Sequence, residues 1–308
     1  MSQPLLPKLR RRSTLWRRLA ENAVRLALFY CLFCFVYYLR QQAHLFPGQG
    51  TQGQPYAMLP PSSNYQLVEF TTAAHNERIT AIFGQALDER GNVRSDAASR
   101  PTILYFNGNA ATIASFLDVF QRLRGLGCNV LIPDYPGYGM SDGYASEHNF
   151  YACADAAYDY LCHHTDVDRT QIISAGWSLG SAVAIDLATR RPVRGLIVLS
   201  AFSSWPAIAS DHTYWRPASV WLQAGFDNQS KIAHVTCPVL IAHGRHDELI
   251  PFSMSEQLAR ARGLPPPLAI NSGHNVFRSD ELFNALGRFV VAAVHATNPA
   301  PTISMRAY

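Results

Sequence analysis

Cysteine is scarce in this chain. Its 308 residues hold six, and outside the apolar N-terminal stretch that carries Cys31 and Cys34 no two stand as CxxC. Cys128, Cys153, Cys162 and Cys237 are scattered, three of them in apolar contexts. Such spacing offers neither a zinc ligand set nor a disulfide framework, so small buried hydrophobes are the plain reading and no metal is expected. No internal repeat recurs, and a net basic excess is missing from most of the chain. The net charge is +4, but residues 1–25 hold Lys8, Arg10, Arg11, Arg12, Arg17, Arg18 and Arg25 against Glu21 alone. That segment carries +6, which leaves −2 for the remainder. A near-neutral main body argues against nucleic acid as a partner. Hydrophobic residues at 48% exclude disorder for most of the length and allow a sizeable core.

Charge and proline are both absent from Leu26 to Leu39, a run of fourteen residues. Extended back to Ala23 it reaches seventeen, interrupted by Arg25. A bilayer span takes roughly 20 apolar residues, with about 17 as the lower bound, and Arg25 can snorkel to the headgroups. The following Arg40-Gln41-Gln42-Ala43-His44-Leu45 offers no A-x-A cleavage site. Tyr30 and Phe33, ahead of the two cysteines, are too large for a lipoprotein signal. Residues 1–45 are therefore expected to form a basic N-terminus and an uncleaved single transmembrane anchor; a cleaved signal and an interfacial helix are the alternatives. The preceding basic cluster predicts a cytoplasmic N-terminus and a translocated, periplasmic or extracytoplasmic domain. Residues 46–64, rich in Gly, Pro, Gln and Ser, read as a flexible tether.

From residue 65 to 296 the pattern alternates strands and helices, with residues 297–308 as a tail. Gln66–Thr72 and Glu77–Leu87 read as an opening hairpin. Further strands are expected at Thr102–Phe106, Asn129–Pro133, Gln171–Gly176, Leu196–Leu199, Val239–His243 and Pro267–Ile270. Helices are expected at Ser115–Leu126, Glu147–His163, Leu179–Arg190, Glu256–Arg262 and Glu281–Val294. Continuous apolar strands between helices imply an α/β fold with a mostly parallel sheet covered on both faces. Residues 203–235 break the rhythm. With Trp205, Tyr214, Trp215, Trp221 and Phe226 they read as a small lid insertion.

Gly176-Trp177-Ser178-Leu179-Gly180 is a G-x-S-x-G placed between an apolar strand and a helix. A turn that sharp strains the serine and exposes its hydroxyl above the sheet. The helix N-terminus aims free N–H groups at developing negative charge. A serine hydroxyl needs a base, and in this arrangement acid and then histidine follow the serine along the chain. Asp247 lies just past one strand and His274 just past the last, where open α/β sheets carry functional groups. Ser178 is thus the candidate nucleophile, His274 the base and Asp247 the carboxylate that orients it. Glu248 is the rival acid, and His243 and His246 are the rival bases. A tetrahedral intermediate needs two N–H donors. Leu179 supplies one, and Asn109, or failing it Ala110, supplies the other from the loop Asn107-Gly108-Asn109-Ala110. Trp177, Trp205 and Trp215 are candidates to line an apolar substrate pocket.

Across residues 65–295 the chain resembles the α/β-hydrolase superfamily. Asp134-Tyr135-Pro136-Gly137-Tyr138-Gly139-Met140-Ser141-Asp142-Gly143 looks like that superfamily's D-x-x-G-x-G-x-S-x-G segment. Asn107-Gly108-Asn109-Ala110 is similar to the H-G-N-A loop of the subgroup holding single-pass membrane lipases, monoacylglycerol- or lysophospholipid-type lipases and protein-depalmitoylating thioesterases. Gly244 to Pro251 and Gly273-His274-Asn275 match that subgroup too. The resemblance implies an eight-stranded sheet, serine hydrolase activity on a small-molecule or lipid-like acyl substrate, and no cofactor. One departure is that Asn107 stands where the subgroup has histidine. A serine peptidase of the same fold and a noncatalytic anchored binding protein are the alternative functions.

Overall fold

The computed structural model describes residues 8–62, 64–212 and 225–296. Helix α1 runs unbroken from Lys8 to Leu45. Its segment Trp16–Val36 spans 21 residues with a mean hydropathy of 1.6 and none of it buried, so by length and composition it is able to cross a membrane.

The strands are β1 (Gln66–Thr71), β2 (Arg78–Gly84), β3 (Thr102–Phe106), β4 (Asn129–Pro133), β5 (Ile172–Trp177), β6 (Gly195–Leu199), β7 (Val239–Gly244) and β8 (Leu268–Ile270). They form one eight-stranded sheet in the order β1-β2-β4-β3-β5-β6-β7-β8. β2 runs antiparallel to both of its neighbours, and the pairs from β4 through β8 are parallel. The helices after α1 are α2 (Leu117–Arg124), α3 (Glu147–His163), α4 (Leu179–Arg190), α5 (Trp205–His212), α6 (Asn228–Ile232), α7 (Phe252–Arg262) and α8 (Asp280–His295).

Alternate residues of the central strands feed two separate cores. In β3, Leu104 and Phe106 join the core under α3, α4 and α7, whereas Ile103 and Tyr105 join the one under α2 and α8. Burial on both faces explains why these strands read as continuous apolar runs. Several boundaries depart from the sequence expectation: β2 ends at Gly84 rather than Leu87, and α2 at Arg124 rather than Leu126. Ser115 belongs to a 3-10 turn, where it and Thr112 cap each other's backbone, so α2 starts at Leu117. α7 starts at Phe252, directly after Pro251, rather than at Glu256.

The larger difference concerns residues 46–64, expected to be a flexible tether. Phe46 is 1% exposed. Its ring meets those of Phe150 and Trp205 edge-on at 5.2 Å each. Two 3-10 turns follow, at Pro47–Thr51 and Pro55–Ala57. Gly53 N–H donates to the Gly139 carbonyl (2.9 Å) and Gln52 Nε2 to that of Ser141 (2.8 Å). Composition alone suggested a linker because these partners of the strap lie far away along the chain. Of the insertion expected at 203–235, residues 213–224 lie outside the described residues. Trp205 N–H donates to the Gly225 carbonyl (2.9 Å), and the Glu147 carboxylate accepts from Gly225 and Phe226 N–H (2.8 and 3.0 Å). Those bonds close the neck of the insertion.

Past β4, the Asp134 carboxylate is buried and accepts from Ile113 N–H (2.8 Å) and Met140 N–H (3.0 Å). Burial pushes its carboxyl up to about 7, against those two N–H bonds. The folded value lies above the unfolded one of about 4, so the folded chain binds the proton more tightly. This contribution to stability is complete below about pH 4 and is lost as pH rises through about 7. Tm is therefore expected to fall as pH rises from about 5 to 8, less steeply in Asp134→Asn. Equal slopes in a thermal melt series would contradict this.

Candidate active site

Ser178 sits between β5 and α4 with φ 56° and ψ −119°. A non-glycine residue held there is strained and needs its surroundings to keep it in place. The elbow closes only because its flanking residues lack side chains. A Cβ on Gly176 would overlap the Gly180 carbonyl oxygen, and one on Gly180 would overlap that of Phe106. Ser178 N–H is tied to the Leu199 carbonyl at 2.9 Å. Leu179 opens α4, and a first-turn N–H has no acceptor within its own helix.

The end of β7 and the loop beyond β8 bring Asp247 and His274 together. His274 Nδ1 lies 2.8 Å from Asp247 Oδ2. The Asp247 side chain is fully buried and that of His274 is 13% exposed. Asp247 Oδ1 accepts from Leu249 and Ile250 N–H, each at 2.9 Å. Burial pushes the Asp247 carboxyl up, but hydrogen bonds from His243, His274 and Ile250 N–H outweigh it and hold the group well below the usual carboxylate range. It is therefore ionised at neutral pH, with an acceptor aimed at the imidazole. The bond fixes the proton on Nδ1 and leaves Nε2 free as a base.

The rivals fall elsewhere. His246 is exposed and pairs with Asn271 Oδ1 at 3.1 Å. Glu248 is exposed and makes no hydrogen bond to His274. His243 is buried behind the acid, with Nε2 3.1 Å from Asp247 Oδ2 and 2.9 Å from the Ile250 carbonyl. Both are acceptors, so Nε2 carries the proton and Nδ1 accepts from Ser255 Oγ at 2.6 Å. Sequence reasoning placed His243 among rival bases and missed this supporting position; its place on an apolar strand was the available signal. Ser200 was missed too, and Trp177 was expected only as a pocket wall. Ser200 Oγ and Trp177 Nε1 both donate to the His274 carbonyl at 3.0 Å, which seats the histidine loop on β5 and β6. Ser200, like Ser178 and Ala110, has positive φ.

The loop after β3 lies against the elbow: a Cβ on Gly108 would stand 3.3 Å from Ser178 Cβ. Asn109 uses both ends of its carboxamide, Nδ2 donating to the Leu45 carbonyl (2.8 Å) and Oδ1 accepting from Tyr138 (2.7 Å). Asn109 N–H has no acceptor among the described residues. Asn107 is buried, its carbonyl accepting from Tyr135 Oη at 2.8 Å, so it holds the loop through its backbone. No hydrogen bond joins the Ser178 hydroxyl to His274 among the described residues; such contacts commonly tighten only on substrate binding.

Trp177 lies beside His274 (ring centroids 5.1 Å apart) and packs on Phe116 and Phe277 at 5.5 and 5.4 Å. These aromatics, with Asn109, Ala110 and Asn275, line a cleft of about 820 Å³. Trp205 instead joins Phe46, Phe202 and Phe226 in an aromatic group. Trp215 lies outside the described residues.

Residues 103–223 match the model of the alpha/beta hydrolase family. Over 183 residues the chain is 36% identical to an uncharacterized protein of Mycobacterium tuberculosis, covering 59% of this chain and 65% of that one. It is 33% identical over 213 residues to alpha/beta hydrolase domain-containing protein 17C of Mus musculus, covering 68% of this chain and 62% of that protein. The chain thus spans just under two thirds of the length of these relatives. The Pyrococcus furiosus esterase Pf2001 superposes with a TM-score of 0.60 at 17% identity, over 76% of this chain and 96% of that one. A puromycin-hydrolyzing peptidase of Mycobacterium tuberculosis gives 0.62 at 15%, over 76% and 40%. At such identities the structures establish the fold alone, an eight-stranded, mostly parallel alpha/beta hydrolase sheet. The chain thus has the alpha/beta hydrolase fold and is similar in sequence to alpha/beta hydrolases.

Proposed function

We propose that the chain is a serine hydrolase that cleaves a carboxylic ester or thioester through an acyl-enzyme on Ser178. The carrying observation is the 2.8 Å pair of His274 and buried Asp247 beside a serine held on a strained elbow. Ser178 Oγ attacks the acyl carbon while His274 Nε2 takes its proton. The carbonyl oxygen becomes an oxyanion received by the N–H groups of Leu179 and Asn109, each worth roughly 3 kcal/mol in the transition state. His274 then gives the proton to the departing alkoxide or thiolate. Water, deprotonated by the same nitrogen, attacks the acyl-enzyme, and His274 returns that proton to Ser178 Oγ as the acid leaves. Asp247 stabilises the imidazolium in both halves. The direct test is a fluorophosphonate probe on the full-length protein in detergent. One probe per chain is expected, and no labelling would leave the noncatalytic alternative. The full chain is required because a domain cut near residue 60 would lose the Phe46 strap.

The acyl or alkyl group is assigned to the apolar patch of Trp177, Phe116 and Phe277 in that cleft, whose remaining lining carries Asp118, Gln121, Arg122 and Arg278. Each buried CH₂ adds up to about 0.8 kcal/mol. In a p-nitrophenyl ester series, kcat/KM is expected to rise from acetate to octanoate. A flat or falling series would point to a small or polar substrate. Thioesters and aminoacyl amides in the same panel separate thioesterase and peptidase activity.

The chain is further proposed to be anchored by Trp16–Val36, N-terminus cytoplasmic and hydrolase domain translocated, on the strength of the basic residues before the span. Protease added outside intact cells is expected to digest the domain. Digestion only after lysis would reverse the orientation.

A further inference from the structure

The strap that follows α1 does more than join two parts of the chain. The Leu45 carbonyl ends the helix and would need an acceptor's partner in any case; it receives Asn109 Nδ2 at 2.8 Å. Asn109 Oδ1 in turn receives the Tyr138 hydroxyl at 2.7 Å. Tyr138 is completely buried. Gly48 lies flat on the Tyr138 ring, where any Cβ would overlap the ring. Thr51 closes the strap, its Oγ1 donating to the Gly48 carbonyl (2.6 Å) and accepting from Gly139 N–H (3.0 Å). Phe46 buries its ring between α3 and the neck of the insertion. The chain of contacts therefore runs from the end of α1 to the loop beside Ser178.

We propose that Tyr138 and the Leu45–Thr51 strap are positioning elements that hold Asn109 and Ala110 so that the Asn109 N–H faces the oxyanion. This rests on the hydrolase reading above and adds to it the reason that the loop keeps one shape. Ala110 has φ 64°, a left-handed conformation that persists only where neighbours impose it. The carboxamide of Asn109, engaged at both ends, fixes the peptide whose N–H has no acceptor among the described residues. Its aim depends on a hydroxyl and a carbonyl that touch no substrate. A shift of about 1 Å in such a donor can cost on the order of a hundredfold in rate.

Tyr138→Phe is the primary variant, because it keeps the ring under Gly48 and deletes only the hydroxyl. Tyr158→Phe serves as the control: it removes another buried hydroxyl of the same core, which donates to the Pro192 carbonyl at 2.8 Å. Both are made in the full-length chain in detergent, with Phe46→Leu as a second variant acting on the strap. For Tyr138→Phe, kcat on a p-nitrophenyl ester is expected to fall about tenfold or more with KM within about twofold. Fluorophosphonate labelling, which passes through the same oxyanion site, should slow in proportion. Phe46→Leu should move kcat in the same direction, and Tyr158→Phe should lower Tm without changing kcat. If Tyr138→Phe retains wild-type kcat in a folded protein, or if Tyr158→Phe loses as much, the inference is overturned while the hydrolase reading stands. A wild-type chain that is neither labelled nor active removes both.

Discussion

Ser178→Ala is expected to abolish ester turnover by at least about a thousandfold while the domain stays folded, and His274→Ala to do nearly the same. The two losses should not add. The serine oxygen is nucleophilic only as His274 accepts its proton, so removing either partner removes the whole unit. The structure makes the serine change mild for folding: alanine at 178 keeps the Ser178 N–H bond to the Leu199 carbonyl and the two glycines that admit the turn. Alanine also loses nothing that packs, since Ser178 is only half-buried. The check is kcat/KM on p-nitrophenyl acetate beside a thermal melt. A Ser178→Ala protein as active as wild type would mean that another nucleophile does the chemistry.

Asp247→Asn should cost far more activity than Glu248→Gln, by a factor on the order of a hundred or more. The asparagine has no charge to stabilise the imidazolium. It also offers an NH₂ group where four donors converge. His274 Nδ1 and His243 Nε2 approach Oδ2, and the N–H groups of Leu249 and Ile250 approach Oδ1. Whichever way the carboxamide turns, a donor meets a donor. If His274 responds by moving its proton to Nε2, it stops being a base toward Ser178. Glu248 is exposed, so its amide changes little. The measurement is the pair of kcat values at fixed pH; equal, small losses would place the acid elsewhere.

The candidate site was legible because its parts sit where strands end. Ser178, Asp247 and His274 each follow an apolar run, and a run bounded by glycine is a local signal. The boundaries of β3, β4, α3 and α4 were read to the residue for the same reason: caps, glycines and periodicity are local. What stayed hidden depends on distant partners. His243 could be seen to lie on a strand, but that its ring backs Asp247 depends on the turn that follows. The strap was misjudged as loose because glycine, proline and glutamine describe chain preference, not contacts. Phe46, at the start of those residues, was the main hint that the segment packs against anything. Trp205 was read as a pocket wall; its observed neighbours are Phe46, Phe202 and Phe226, so its role lies in fastening the strap to the neck of the insertion.

Helix α1 does not stop at the end of its apolar segment. From Val36 it continues as helix to Leu45, a rise of about 13 Å at 1.5 Å per residue, and its last carbonyl is bonded to Asn109. On the anchored reading the domain is mounted on a post of fixed height rather than hung from a string. A string would let the catalytic mouth wander through a hemisphere of water. A post keeps it at one stand-off, about twice the depth of a headgroup layer beyond the hydrocarbon. The enzyme's search is then confined to a plane. Molecules held at the bilayer surface meet the site at high local concentration, whereas molecules free in bulk water gain no advantage from the mounting.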